Sequence, residues 1–287
     1  MKQNKLNAKI ESYIREIPSL PVSVRKVMEI CSNPSTSPRD LNQVISLDPV
    51  LTGRVLQLIN SAYYGLNNRI TSLIKAITML GINTVKNLTL ATAILSTLPK
   101  NRKLHGLDME SFWRHCLCVG VTSKLIAVKQ GVDPRNQQEY FTAGLLHDIG
   151  KVPLNAVLSI DYMNAVSSAD NEHKTLVTAE DESFGINHCF SGEMITQSWK
   201  LESPVSDVII WHHNTDKYYG QYLHILYDVI VADYFSIIYD VGFSGNKNPV
   251  KPDNEIWKII GLNENSFEDL KEKVFKEIEK AKIFLKV

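Results

Sequence analysis

The stretch Gly144–Leu154 reads GLLHDIGKVPL, and its apolar residues Leu145, Leu146 and Ile149 mark it as a buried segment. A histidine, an aspartate and a lysine are set into it at His147, Asp148 and Lys151. An ionised carboxylate buried without a partner costs several kcal/mol at least. Asp148 therefore needs a structural hydrogen bond, a salt bridge to Lys151, or a metal ion.

Outward from this segment the apolar periodicity is helical nearly throughout, with no sustained strand-type alternation, so the expected fold class is all-α. In SLPVSVRKVMEICSN, Val24, Val27, Met28 and Cys31 fall on one helix face. Ser37 and Pro38, then Asp48 and Pro49, are placed as N-cap and first-turn residues of two more helices, the second closing at Gly65. Ser72 to Leu98 reads as two helices hinged near Gly81, and the polar break PKNRKLHG follows. A second helical set runs from Asp108 to about Gly242, with a less regular region from Val152 to Asn187. Gly150 and Pro153 suit a helix that ends just after His147 and Asp148. FSGNKNPVKPDN has linker composition, and the C-terminal SFEDLKEKVFKEIEKAKIFLKV is amphipathic through Phe267, Leu270, Val274 and Ile278. Three parts are expected: residues 1–104, a helical subdomain; 105–245, a metal-site subdomain; 246–287, linker and helix.

The 287 residues carry 31 basic and 31 acidic side chains and are 44% hydrophobic. This neutral balance argues against a nucleic-acid clamp, which needs a net basic face. The four cysteines form no dense framework, MKQNKLNAKIESYI has no leader-like apolar core, and no run of about 18 apolar residues occurs. The expected location is a reducing cytoplasm, without a membrane span.

His115, His147, His188, His212 and His213, with Asp148 and Asp233, all sit among apolar neighbours in the second helical set, whereas His105 and His173 lie in polar breaks. Singly, each is most simply a core residue with its own hydrogen bond. Together they would need many separate buried partners, and a shared ion is the more economical account. Imidazoles with one or two carboxylates and no thiolate suit iron, manganese, zinc or cobalt. Cys116 and Cys118 near His115, and Cys189 after His188, form a weaker rival ligand set without zinc-finger spacing. Lys151 reads equally well as a charge stabiliser for a phosphoryl group or as a cation at a helix C-terminus.

The order His115, His147-Asp148, His188, His212-His213, Asp233 resembles the HD superfamily of metal-dependent phosphohydrolases. IPSLP, ISLDPVLTGRVLQLINSAYYG, GLLHDIGK and ESFGINHCFSGEMITQSW narrow this to the HDOD family, which the chain resembles from roughly Ile17 to Asp240. The resemblance implies an N-terminal helical subdomain packed on an HD-type bundle, used in bacterial signal transduction. It implies that those seven residues are metal ligands for one or two divalent ions, with iron, manganese or zinc expected. It also places Asp148 and Lys151 at the chemistry. HHNTDKYYGQY lacks the GYP signature of the related cyclic di-GMP phosphodiesterases. The primary expectation is thus a regulatory or protein-interaction module that keeps its metal site, with an unidentified signalling partner. The alternative is a phosphohydrolase acting on a nucleotide or cyclic dinucleotide.

Overall fold

The computed structural model describes residues 2–98 and 106–286, with side chains from Leu6 onward. The break around Pro99–His105, with the boundary expected there and His105 itself, lies outside the described residues. Among the described residues there is no strand, as the periodicity predicts, and no helix is long and apolar enough to cross a membrane.

The first helices are α1 (Lys2–Glu16), α2 (Val22–Cys31), α3 (Pro38–Ser46), α4 (Pro49–Ile59), α5 (Leu73–Leu80) and α6 (Ile82–Thr97). Local chemistry sets several of their ends. The Ser37 hydroxyl accepts from the Asp40 amide and Asp40 answers by accepting from the Ser37 amide, a complete capping box. Asp48 accepts from the Leu51 amide ahead of Pro49. Gly81, at φ 87°, turns the chain between α5 and α6 in a conformation that side chains resist. Gly65 also has positive φ, but α4 ends earlier, at Ile59, and a separate turn carries the chain to Gly65.

The second set comprises α7 (Met109–Lys129), α8 (Gln137–Leu146), α9 (Lys151–Leu158), α10 (Ile160–Asn171), α11 (Leu176–Phe184), α12 (His188–Trp199), α13 (Val205–Trp211) and α14 (Leu223–Ile238). The region expected to be less regular is three helices, α9 to α11. Pro153 falls at the third position of α9, where its missing N–H has no intrahelical acceptor to satisfy. Two further α-helices follow, α15 (Asn254–Ile260) and α16 (Ser266–Ala281), and a 3-10 turn spans Lys282–Leu285.

At the centre α7 packs against both α8 and α14, and α6 joins α8 from the first set. The α7–α8 crossing is close because two glycines meet. A Cβ on Gly144 would lie 2.9 Å from Gly120 Cα, and one on Gly120 would lie 2.7 Å from Phe141 O. The ends of the chain fold back onto this centre: α1 packs on α9 and α12, and α16 on α7. One continuous apolar core runs from Ile10 to Phe284.

Candidate metal centre

Six short pieces of backbone deliver the chemistry-bearing side chains to one place. His115 comes from the middle of α7, His147 and Asp148 from the turn after α8, and Lys151 from the first position of α9. His188 opens α12, where the Asn187 side chain caps by accepting from the Phe190 amide. His212 and His213 follow α13, and Asp233 projects from α14. His115, His147, Asp148, His188 and His212 are each at most 5% exposed.

Asp148 is the hub. Its Oδ1 faces His188 Nε2 at 3.4 Å and His212 Nε2 at 3.6 Å. Its Oδ2 faces His147 Nε2 at 3.4 Å and His115 Nε2 at 3.7 Å. Asp233 Oδ1 stands on the second side, 3.1 Å from His115 Nε2 and 3.7 Å from His147 Nε2. The two carboxylate oxygens thus divide the cluster in two. Asp148, His188, His212 and His213 form one group, and His115, His147 and Asp148 the other; the ligand atoms within each lie within 4.8 Å of one another.

The tautomers follow from the opposite ring nitrogens. His147 Nδ1 lies 2.7 Å from Gly144 O, and His212 Nδ1 lies 2.9 Å from Val208 O. A carbonyl only accepts, so both Nδ1 atoms carry the proton. His188 Nδ1 donates to Glu180 Oε2 at 2.5 Å. His115 Nδ1 lies 3.1 Å from Ser236 Oγ, whose own proton goes to Val241 O, so the hydroxyl accepts here as well. In the neutral rings all four Nε2 atoms therefore present a lone pair inward. None of the four, nor Asp148 Oδ1, has a well-directed hydrogen-bond partner. Buried polar atoms are rarely left so, and imidazoles oriented by a partner on the far nitrogen are the usual form of a metal-bound histidine. The residues fit a divalent cation.

The charges divide the rings. Burial pushes His115 and His188 below the usual histidine range, toward the neutral form that a metal requires. Burial acts the same way on His147 and His212, but Asp148 beside His147, and Cys189 and Asp148 beside His212, outweigh it and hold both rings above that range. Burial alone would raise Asp148, but His147 and Lys151 outweigh it and hold the carboxyl well below its ordinary value. Lys151 Nζ donates to Asp148 Oδ2 at 2.6 Å. Lys151 opens α9 and is buried, so the reading of it as a cation at a helix C-terminus does not hold. Gly150 likewise is not a left-handed helix terminus, since its φ is −65°. Its missing side chain matters for space: a Cβ there would sit 1.9 Å from His188 O and 2.5 Å from Gly192 N. That contact presses α12 against the His147–Asp148 turn.

The cysteines stand apart. Cys118 Sγ points to Thr122 Oγ1 at 3.9 Å, and burial pushes its thiol up to about 12. Burial likewise pushes the Cys116 thiol well above its usual range. Cys189 approaches His212 from its Nδ1 side, at 3.9 Å, away from the inward Nε2. His173 and His224 have no place in either group.

Sequence reasoning missed Glu180. This fully buried acid accepts from both the ring and the backbone N–H of His188 with one oxygen, and from the Tyr162 hydroxyl at 2.6 Å with the other. A signal was present: Leu176, Ala179 and Glu180 share the buried face of α11, and an acid on an apolar face calls for a partner. Ser236, one turn beyond Asp233 on α14, was missed in the same way.

Comparison with known proteins gives the family and the fold. Residues 17–215, more than half the chain, match the HDOD domain family. An uncharacterized protein of Treponema pallidum is 26% identical over 234 residues, which cover 80% of this chain and 44% of the relative. The chain thus spans less than half the length of that curated relative. An HDOD domain protein of unknown function from Geobacter sulfurreducens has the same fold, with a TM-score of 0.73, 24% identity, and 97% of this chain and 98% of its own covered. A protein from Shewanella amazonensis, provisionally named a metal-dependent phosphohydrolase, shares the fold with a TM-score of 0.61 and 17% identity, at 99% coverage of both chains. By sequence match and by fold, this chain is a member of the HDOD domain family.

Proposed function

We propose that the chain holds one or two divalent transition-metal ions between Asp148 and the surrounding imidazoles, and that the centre acts on a phosphate ester. The carrying observation is the convergence of four inward-facing, otherwise unpartnered Nε2 atoms on one buried carboxylate. His188, His212 and His213 would serve the Oδ1 side, and His115, His147 and Asp233 the Oδ2 side. When bound, divalent ions lower the pKa of water and polarise a phosphoryl oxygen. The chain's own residues supply the rest. Asp148 is ionised and shared by both groups, and Lys151 keeps a buried positive charge beside it. Burial depresses Lys151, but Asp148 and then Glu180 overcome this and raise it, so it stays protonated. Glu180, Gly144 O, Val208 O and Ser236 lock the ring orientations.

A second reading, the metal-keeping regulatory module, is favoured by the depth of the site. Asp148 is 1% exposed and its Oδ2 is already held by Lys151, as suits an ion built into the core to fix its shape. Steady-state assay of manganese-loaded protein with p-nitrophenyl phosphate and bis-p-nitrophenyl phosphate separates the two. Turnover that disappears in Asp148→Asn supports the first; metal-loaded protein without turnover supports the second. Metal-free protein of unchanged stability contradicts both.

A further inference from the structure

A cavity of about 380 Å³ opens beside the cluster, with His212, His213 and Asp233 among its lining residues. It is at the small end of the range for small-molecule sites, about 300–1,000 Å³. Most of its wall comes from residues beyond 215, outside the stretch that matches the family. Apolar side chains dominate that wall: Val229, Ile230 and Ile237 from α14, Val177 from α11 and Ile256 from α15, with the ring of Tyr234 beside them.

The remaining side closes with the segment 246–253, which the sequence marked as a linker. Several bonds fix its course. Phe243 N donates to Ser111 O at 3.1 Å, Asn248 Nδ2 donates to Ala169 O and Lys174 O at 3.1 and 3.2 Å, and Trp257 Nε1 donates to Pro252 O at 2.9 Å. The wall is therefore in place before any ligand arrives.

Charge sets the selectivity. Among the described lining residues Lys251 is the one lysine or arginine, and it is already paired with Glu264 at 2.5 Å. Asp253 adds a negative charge on the same side. A phosphate at the His212, His213 and Asp233 end has the metal centre to meet it. A second phosphate further along the cavity would lose its hydration beside apolar side chains and an aspartate, with no free cation in return. The neutral part of a ligand meets the opposite conditions, since Thr175, Thr178 and Asn246 offer hydrogen bonds among the apolar groups.

We infer that the cavity seats the uncharged, ring-bearing part of a phosphate monoester of about nucleoside size, and that ligands with further phosphates are disfavoured. The inference rests on the metal–phosphate reading above and narrows it. The reaction it implies is hydrolysis. Water adds to phosphorus, the bond from phosphorus to the ester oxygen breaks, and the alcohol leaves with a proton while orthophosphate is released.

The test uses the full chain loaded with manganese(II), with metal content measured on the same sample. Adenosine 5′-monophosphate, adenosine 5′-triphosphate, cyclic di-GMP and orthophosphate are titrated by calorimetry. The monophosphate is expected to bind at least tenfold more tightly than the triphosphate or the cyclic dinucleotide. Ile230→Trp, and independently Val177→Trp, should weaken the monophosphate at least tenfold while orthophosphate binding, metal content and melting temperature hold; the second variant covers a folding failure of the first. Metal-loaded protein that binds the triphosphate or cyclic di-GMP as tightly as the monophosphate, fails to bind the monophosphate, or ignores both tryptophans overturns this inference alone. Protein that takes up no metal overturns the underlying reading and this inference with it.

Discussion

Helix α6 and the centre around Asp148 are both buried and both rich in polar side chains, yet they handle that polarity in opposite ways. In α6, Thr89 donates to Val85 O at 2.8 Å, Thr92 to Leu88 O at 2.7 Å and Asn87 to Asn83 O at 3.0 Å. Each satisfies itself on its own helix, one turn back. Around Asp148 the rings of His115, His147, His188 and His212 use Nδ1 in an equally ordinary bond and leave Nε2 open toward their neighbours. Buried polarity is therefore no sign of function in itself. The sign is a set of open atoms that face one another.

The contrast breaks most severely at the hub. Asp148→Ala should strip the metal and leave Lys151 buried without its partner, a loss of about 3–5 kcal/mol, read by denaturant unfolding beside elemental analysis. Survival of metal binding in this variant would remove the hub from the account. Next, Gly150→Ala forces a methyl group into His188 O and should cost about 1–3 kcal/mol of overpacking, with weaker metal binding because α12 must move. A neutral outcome would mean that α12 is not held by that contact.

Glu180→Gln tests orientation with the fold kept. Metal affinity should fall about 10–100-fold, seen by competition with a chelator, while Tyr162 keeps an acceptor. At the small end, Thr92→Val in α6 should change stability by no more than about 1 kcal/mol and leave metal content untouched. A metal effect from α6 would erase the distinction between the two regions.

One carboxyl sharpens the contrast within a single helix. Asp228 and Asp233 both lie on α14, but Asp233 is held well below the usual range by His115 and His147, against the effect of burial. Asp228 accepts from Gln130 at 2.8 Å, has Oδ2 unpartnered, and is pushed well above the usual range by burial. A carboxyl whose folded pKa is raised contributes stability in full below its unfolded value of about 3.9. That contribution is lost as pH rises through the folded pKa. Asp228→Asn should therefore gain melting temperature relative to the parent as pH rises from 5 to 8, by a few degrees. A gain independent of pH would show that Asp228 is not held protonated above the usual range in the fold.

Much of this was legible because the determinants are local. Ser37 with Asp40, and Asp48 with Pro49, announce their helices within four residues, and the seven candidate ligands stand out as charged or titratable side chains on apolar stretches. Where the account fell short, the cause is tertiary. Gly150 looks like a helix terminus in sequence, and only the approach of the His188 carbonyl shows why nothing larger fits. Lys151 looks like the end of one helix because the four-residue turn 147–150 between α8 and α9 leaves no break in the apolar pattern. Glu180 was hidden in a segment where Pro153 and the positive φ of Ser159 interrupt the periodicity, although Thr175 and Gly185 bracket α11 as cap and left-handed terminus.

The central claim is that the open Nε2 atoms belong to a metal. Elemental analysis of the full chain purified without chelator, run beside His147→Ala, tests it most directly. The account predicts roughly one to two equivalents of a divalent transition metal in the parent, a marked loss in the variant, and a lower melting temperature for both the variant and the chelator-treated parent. A parent that carries no metal, takes up none on addition of iron, manganese or zinc, and melts at the same temperature with or without chelator would contradict it.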